Sequence, residues 1–232
     1  MRVLAFDTAT AITAVALRDF DDEANVCLRS VVDLSAVDDP PSGARPGHAR
    51  RLLALIHDLL DQAGSDWQDV DRIAVGLGPG TFTGLRIGIA TAQALSRSSG
   101  RPLVGVSTLQ SLESAALAPL AAPRPVLAVI DARRGEAFAA GAGLAPTVLT
   151  PAALGATARR RAGTDLMAVG DGAVKFRDVL EASGAYVPDD DAPVHRVSAR
   201  EHCRLAALLP PSVNGRVEPS YLRLPDAEIA RA

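Results

Sequence analysis

One short pattern occurs twice and restricts the fold more than any other feature of the chain. The apolar run Val3-Leu4-Ala5-Phe6 ends on Asp7, and much later Val126-Leu127-Ala128-Val129-Ile130 ends on Asp131. Each reads as a short buried strand closed by a carboxylate and followed by a second strand, Ile12 to Leu17 in one case and Glu136 to Ala140 in the other. The recurrence predicts two related α/β halves. The 232 residues suit one large domain or two small ones. Hydrophobic residues make up 48% and aromatic ones only 3%, so the core has to be aliphatic.

Between and after these strands the periodicity alternates in kind. Asn25 to Val32 reads as a third strand, followed by a loop through Asp38, Asp39, Pro40, Pro41, Ser42, Gly43 and Pro46. From His48 to Ala63 the positions Leu52, Leu53, Ile56, Leu59, Leu60 and Ala63 keep the 3.6-residue period, and Gly64 supplies a left-handed stop. Ile73 to Leu77 reads as a strand running into Gly78-Pro79-Gly80-Thr81-Phe82-Thr83-Gly84, with a helix from Leu85 to about Ser98 and a strand at Leu103 to Val106. Ser107 and Gln110 form a capping box opening a helix that ends near Ala118. Pro119, Pro123 and Pro125 then mark a linker over 119–125, giving lobes 1–118 and 126–232, the first with the order βββαβαβα. In the second lobe Thr150-Pro151 starts a helix, Leu166 to Gly170 is a strand, Ala173 to Ala182 is a helix, and Ser198 with Glu201 caps another.

Several chemistries are excluded. Net charge is −3 with arginine and aspartate interspersed, and no basic stripe is present to neutralise a nucleic-acid backbone, so RNA contact calls for a partner. Lys175 is the only lysine, which removes the P-loop and Ser-x-x-Lys chemistries. Two cysteines, Cys27 and Cys203, fit a reducing, cytoplasmic setting, and each reads as a small buried hydrophobe. The histidines His48, His57, His195 and His202 lack His-x-x-x-His or His-Glu-x-x-His spacing, so no metal site is expected.

Two glycine-bearing or turn segments could meet an anion. Asp7-Thr8-Ala9-Thr10 stands where a phosphate-binding hairpin has Asp-x-Gly-Thr, but Ala9 replaces the glycine that lets backbone approach phosphate. The alternative is a turn whose threonines bond locally and whose Asp7 caps it. Gly78, Gly80 and Thr81 precede a helix and could cradle an anion with their amides, or form only a tight strand-to-helix crossing. Gly84, Gly88 and Ala92 recur every four residues on one helix face, which permits close approach either of an internal element or of a partner subunit. In Asp131-Ala132-Arg133-Arg134-Gly135-Glu136 the charges lie in the second hairpin turn, where a surface ion pair is the commoner outcome.

Several blocks together resemble the TsaB (YeaZ) family of bacterial tRNA threonylcarbamoyladenosine biosynthesis proteins. They are residues 3–10 (Val-Leu-Ala-Phe-Asp-Thr-Ala-Thr), 47–53 (Gly-His-Ala-Arg-Arg-Leu-Leu) and 78–88 (Gly-Pro-Gly-Thr-Phe-Thr-Gly-Leu-Arg-Ile-Gly), with 105–109, 130–136 and 221–223 (Tyr-Leu-Arg). The resemblance implies a duplicated actin-like ATPase (ribonuclease H-like) α/β fold, two βββαβα-type lobes with mixed central sheets. It implies a non-catalytic accessory subunit that docks on the catalytic TsaD and works with the ATPase TsaE, with tRNA reached through the complex. It also implies self-pairing as a homodimer when the partner is absent, and ATP or ADP and a metal handled by the partner subunits. The docking surface it implies runs over the first two helices of the N-terminal lobe: His48, Arg51, Leu52, Leu55, Ile56 and Leu59, then Gly84, Leu85, Ile87, Gly88, Ala92 and Leu95. A bulky residue at Gly88 is then expected to abolish docking while leaving the monomer folded. The rival readings are an autonomous actin-fold enzyme, either a small-molecule kinase or a metallopeptidase, and a homodimeric nucleotide-binding module.

Overall fold

The computed structural model describes residues 1–20, 32–41, 44–118, 124–161 and 165–223. They fall into two units. The first comprises the described residues of Met1–Leu77, Thr83–Val106 and Ser198–Pro219; the second comprises Gly78–Phe82, the described residues of Ser107–Val197, and those from Ser220 on.

The first unit is built on β1 (Arg2–Asp7), β2 (Thr13–Asp19), β3 (Asp33–Asp38), β4 (Arg72–Gly76) and β5 (Leu103–Val106), in the order β3-β2-β1-β4-β5. β1 pairs antiparallel with β2 and parallel with β4, and β4 pairs parallel with β5. Every residue of β1 is buried, as befits a central strand covered on both faces. Its alternation sorts the two faces. Leu4 and Phe6 join Val15, Leu17, Ile73 and Val75 on the side covered by α1 (His48–Gln62) and α2 (Phe82–Ser99). Val3 and Ala5, with Ala14, Ala16, Ala74 and Val104, form a flatter face under Ala199, Cys203 and Ala206 of α7 (Ala199–Leu208). Small side chains on both sides of that contact let the helix approach closely. α1 ends as its sequence foretells, with Gly64 at φ 57 just beyond the last turn.

The third strand departs from expectation. Residues 25–31 lie outside the described residues, and β3 is Asp33–Asp38, between the end of the expected strand at Val32 and the expected loop that starts at Asp38. Its sequence DLSAVD alternates exposed and half-buried positions at the sheet edge, so it carries no apolar run to announce it.

The second unit holds β6 (Val126–Asp131), β7 (Ala137–Gly141), β8 (Leu144–Leu149) and β9 (Met167–Val169), in the order β8-β7-β6-β9, with β6 antiparallel to β7 and parallel to β9. Val126, Ala128 and Ile130 face Leu109 and Leu112 of α3 (Thr108–Leu117). Leu127 and Val129 join Leu154 and Ala158 of α4 (Pro151–Arg159) on the other side. The single helix expected from Ala173 to Ala182 is two short ones, α5 (Asp171–Lys175) and α6 (Arg177–Glu181), because Phe176 leaves helical geometry at φ −107, ψ 26.

Both units therefore repeat one plan, an antiparallel three-stranded meander extended by parallel pairing off its first strand. The expected division into 1–118 and 126–232 is corrected in one respect: α3 belongs with the second unit and Ser198–Pro219 with the first. α3 packs on β6, the strand that follows it, and α7 packs on a sheet distant in sequence, which contiguous boundaries miss. Of the expected linker, residues 119–123 lie outside the described residues. No helix among the described residues is long and apolar enough to cross a membrane.

The outer end of the first sheet carries a buried ion pair. Arg2 Nε and Nη2 donate to the Asp19 carboxylate at 2.7 and 2.8 Å. Burial alone would raise the Asp19 carboxyl, but hydrogen bonds from Arg2 and the Val32 N–H, with the guanidinium charge, together hold it below the ordinary carboxylate value. A depressed folded value means that this stability is present above roughly pH 3.9 and drains away as pH falls through the folded value. We expect Asp19→Asn to cost about 1.5–3 kcal/mol at pH 7 and to lose less stability on acidification than the parent. Urea midpoints measured from pH 6 down to pH 2 check this, and parallel acid limbs would contradict it.

Candidate functional site

The turn between β1 and β2 collects the most tightly organised polar groups of the first unit. Asp7, 1% exposed, closes β1. Its Oδ1 accepts the Ala9 N–H at 2.6 Å, and its Oδ2 lies 2.9 Å from Nε2 of His202 on α7. His202 is 0% exposed, and its Nδ1 lies 3.0 Å from the Ser198 carbonyl oxygen. Each ring nitrogen thus faces an acceptor oxygen. Gly76 walls the carboxylate, since an added Cβ there would overlap Asp7 Oδ2.

The rest of the turn is equally committed. Thr8 Oγ1 donates to the Gly84 carbonyl at 2.7 Å, Thr10 Oγ1 accepts the Ile12 N–H at 3.3 Å, and the Ala9 side chain is fully buried. Nearby, Thr13 Oγ1 and His48 Nδ1 are 2.8 Å apart. Burial lowers the His48 value, opposed by the Thr10 backbone and the charges of Asp7 and Asp38. The donor that this hairpin would offer a phosphate, the Ala9 N–H, is already given to Asp7. Both earlier readings of the turn are therefore weighed by one bond, which favours local capping.

Gly78 and its neighbours group with the second unit, apart from Asp7, Thr8 and Thr10 in the first. The Gly78 N–H donates to Thr108 Oγ1 at 3.1 Å, and the Thr108 N–H returns to the Gly78 carbonyl at 2.9 Å. This segment serves as a brace on the start of α3. Gly80 and Thr81 are half-buried.

The second hairpin turn contains a charge cluster that the sequence showed only in part. Asp131 Oδ1 accepts from the Arg133 N–H at 2.8 Å and from Lys175 Nζ at 2.7 Å, while Oδ2 meets Arg133 Nη1 at 3.3 Å. Asp171 Oδ1 accepts the Asp131 N–H at 3.2 Å, and burial, reinforced by the Asp131 charge, pushes the Asp171 carboxyl up. Arg133, Arg134 and Gly135 take successive left-handed φ values of 62, 53 and 77. Asp171 and Lys175 escaped the sequence reading; the signal was Gly170-Asp171-Gly172, two glycines flanking a carboxylate directly after an apolar strand.

The expected docking residues need correction. Leu52, Leu55, Ile56, Leu59 and Ala92 belong to the core packed on the first sheet, and His48, Gly84, Leu85 and Gly88 are buried as well. Ile87 and Leu95 are half-buried against that core, and only Arg51 is exposed, beside Asp38 at 3.3 Å. An added Cβ at Gly88 would overlap Thr8 Oγ1, so this glycine answers to its own turn and a leucine there strikes the fold. The outward faces of the same two helices hold Arg50, Leu53, Ala54 and His57 on α1, and Arg86, Ala90 and Ala94 on α2.

The remaining candidates are dispersed. His57 lies on the surface and His195 sits between the carbonyls of Gly170 and Pro188, each about 3.1 Å away. Cys203 is buried, its thiol donates towards the Val3 carbonyl at 3.4 Å, and burial pushes its value up, so it is unreactive packing. Cys27 lies outside the described residues.

Two units of one plan, each with an aspartate closing its first strand, define the class: a duplicated α/β protein with two mixed sheets. Comparison with known proteins narrows this. The family described as TsaD, tRNA N6-adenosine threonylcarbamoyltransferase, matches residues 40–180. The tRNA threonylcarbamoyladenosine biosynthesis protein TsaB of Escherichia coli is 39% identical over 142 residues, 60% of this chain and 53% of that protein. TsaB of Haemophilus influenzae is 31% identical over 138 residues, 60% of this chain and 52% of that one. The chain thus spans about half the length of the curated relatives it matches. Among solved structures, a Pseudomonas aeruginosa protein described as similar to peptidase YeaZ is 29% identical, with TM-score 0.73, covering 96% of this chain and 99% of that one. YeaZ from Pseudomonas aeruginosa itself gives 28% identity and TM-score 0.64, over 90% and 92%. The chain belongs to this threonylcarbamoyltransferase family, on its TsaB (YeaZ) side.

Proposed function

We propose that this chain is an accessory subunit in tRNA N6-threonylcarbamoyladenosine synthesis, one that carries no bond-making step and docks on a TsaD-type catalytic subunit to favour its active arrangement. The observation that carries the reading is the Asp7 turn: its amide, carboxylate and neighbouring glycines are all spent within the first unit. The TsaB relatives support the pathway. In this reading ATP or ADP and any metal belong to the partners, a TsaE-type ATPase works alongside, tRNA is met through the complex, and a second copy can occupy the same face when the partner is absent.

The docking face follows from the corrected burial. Leu53, 56% exposed on α1, is the one large apolar side chain on that helix's outer face among the described residues, and Ala90 and Ala94 keep the outer face of α2 low enough for a neighbouring helix to approach. Burying such a surface contributes roughly 25 cal/mol per Å² of apolar area.

Leu53→Glu combined with Ala90→Glu should weaken binding to the TsaD of the same organism by about ten-fold or more, with the melting temperature of the isolated chain unchanged. Biolayer interferometry and thermal melts give both readings. Undiminished binding by the double variant overturns the surface. Turnover of ATP or peptide by the isolated chain, lost in Lys175→Ala, overturns the accessory role in favour of an autonomous enzyme.

A further inference from the structure

A cavity of about 360 Å³ opens in the first unit where the end of α2 meets β5 and the segment after α7. Nothing in the reading above uses it. Its lining includes Arg97, Arg101, Leu103, Pro211, Ser212 and Asn214, and the charged residues among its described lining are these two arginines, with no carboxylate beside them.

Two donors at this cavity are unsatisfied. Arg101 Nε and Ser212 Oγ are buried and have no hydrogen-bond partner among the described residues. Leaving buried donors unpaired is costly, and one way such groups persist is by awaiting an acceptor. The walls that carry them are fixed. Ser96 Oγ donates to the Arg101 carbonyl at 2.7 Å, Arg101 Nη2 donates to the Gln68 carbonyl at 2.9 Å, and the Ser212 N–H donates to the Leu103 carbonyl at 2.7 Å. The guanidinium is thereby anchored from one end while its Nε–H stays unused.

A planar guanidinium, a second arginine and a hydroxyl, without a competing carboxylate, suit the oxygens of a phosphoryl group. The volume lies in the range of small-molecule sites, and the exposed rings of Pro102 and Pro211 offer an apolar wall for an organic portion. We propose that this cavity is a phosphoryl-binding site of the first unit, held by Arg97, Arg101 and Ser212 and sized for a mononucleotide-like phosphomonoester. It stands apart from the Asp7 turn and does not depend on the docking face.

Calorimetric titration of the full chain with inorganic phosphate and with 5′-AMP, at fixed ionic strength, tests it. Binding is expected, and Arg97→Ala, Arg101→Lys and Ser212→Ala should each weaken it by about five- to ten-fold. Arg97 is exposed, so its truncation leaves the fold intact, which thermal melts verify. Tighter binding of 5′-AMP than of phosphate identifies an organic phosphomonoester lying on the apolar wall; equal binding identifies the free anion. No heat from either probe at millimolar concentration overturns the proposal. So does binding that survives Arg97→Ala and Arg101→Lys but disappears in Lys175→Ala, since Lys175 lies in the second unit.

Discussion

A His202→Ala variant is expected to lose about 3–5 kcal/mol of stability, the cost of leaving a buried charge without its partner. Asp7 is buried at the end of β1, its second oxygen faces His202, and the walls formed by Gly76 and the Ala9 turn leave no room for the carboxylate to move towards water. Removing the imidazole also vacates volume beneath α7, which adds a cavity term. Urea unfolding at pH 7 reads the loss. Cys203, adjacent on the same helix and fully buried, offers a local probe: in a Cys27→Ser background, its labelling by a thiol reagent should accelerate in the variant. A loss below about 1 kcal/mol would show that the pair behaves as a surface contact and that the turn is held by its other bonds.

Gly170→Ala should be comparably damaging, and in the other unit. Gly170 stands at φ 102 between β9 and α5, a conformation that costs an L-residue about 1–3 kcal/mol. An added Cβ would also overlap the Val129 carbonyl oxygen, which belongs to the backbone of the central strand and cannot swing aside. Overpacking of that kind costs a further 1–3 kcal/mol or so. The expected total, about 2–6 kcal/mol, is enough to unfold a unit of ordinary stability. Two transitions in thermal melts, with only one shifted, would place the damage in the second unit. A normal melt would show that the strand yields.

The legible part of this fold is the part written in apolar runs. The two aspartate-ended strands, the α1 stripe and the caps at Ser107, Thr150 and Ser198 all reappear, each cap oxygen accepting an amide three residues on. Two strands were lost because they lie at sheet edges: β3 alternates polar residues, and β8, Leu144–Leu149, contains a proline and follows Gly143. For the candidate site, Asp7 was visible as a strand terminus, but its partner His202 lies far along the chain and only tertiary packing joins them. The expected docking residues turn out mostly interior for a related reason. Apolar periodicity marks the buried side of a helix, so it selects Leu52, Ile56 and Leu59, whereas the outward side, with Leu53 and Ala54, has no periodic signal.

The placement of α7 sets an order of events during synthesis. The alanine-rich face of the first sheet is complete once β5 has been made, yet α7, Ala199–Leu208, which packs on it, is made only after the Ser107–Val197 stretch of the second unit. Until then Val3, Ala5 and Val104 lack the α7 side chains Ala199, Cys203 and Ala206, and the carboxylate of Asp7 waits for its imidazole. The second unit has its helix α3 translated ahead of its strands, and Leu222 and Arg223 reach it last of all. A nascent protein of this design matures tail-last, its first-made sheet open on one face until nearly the end.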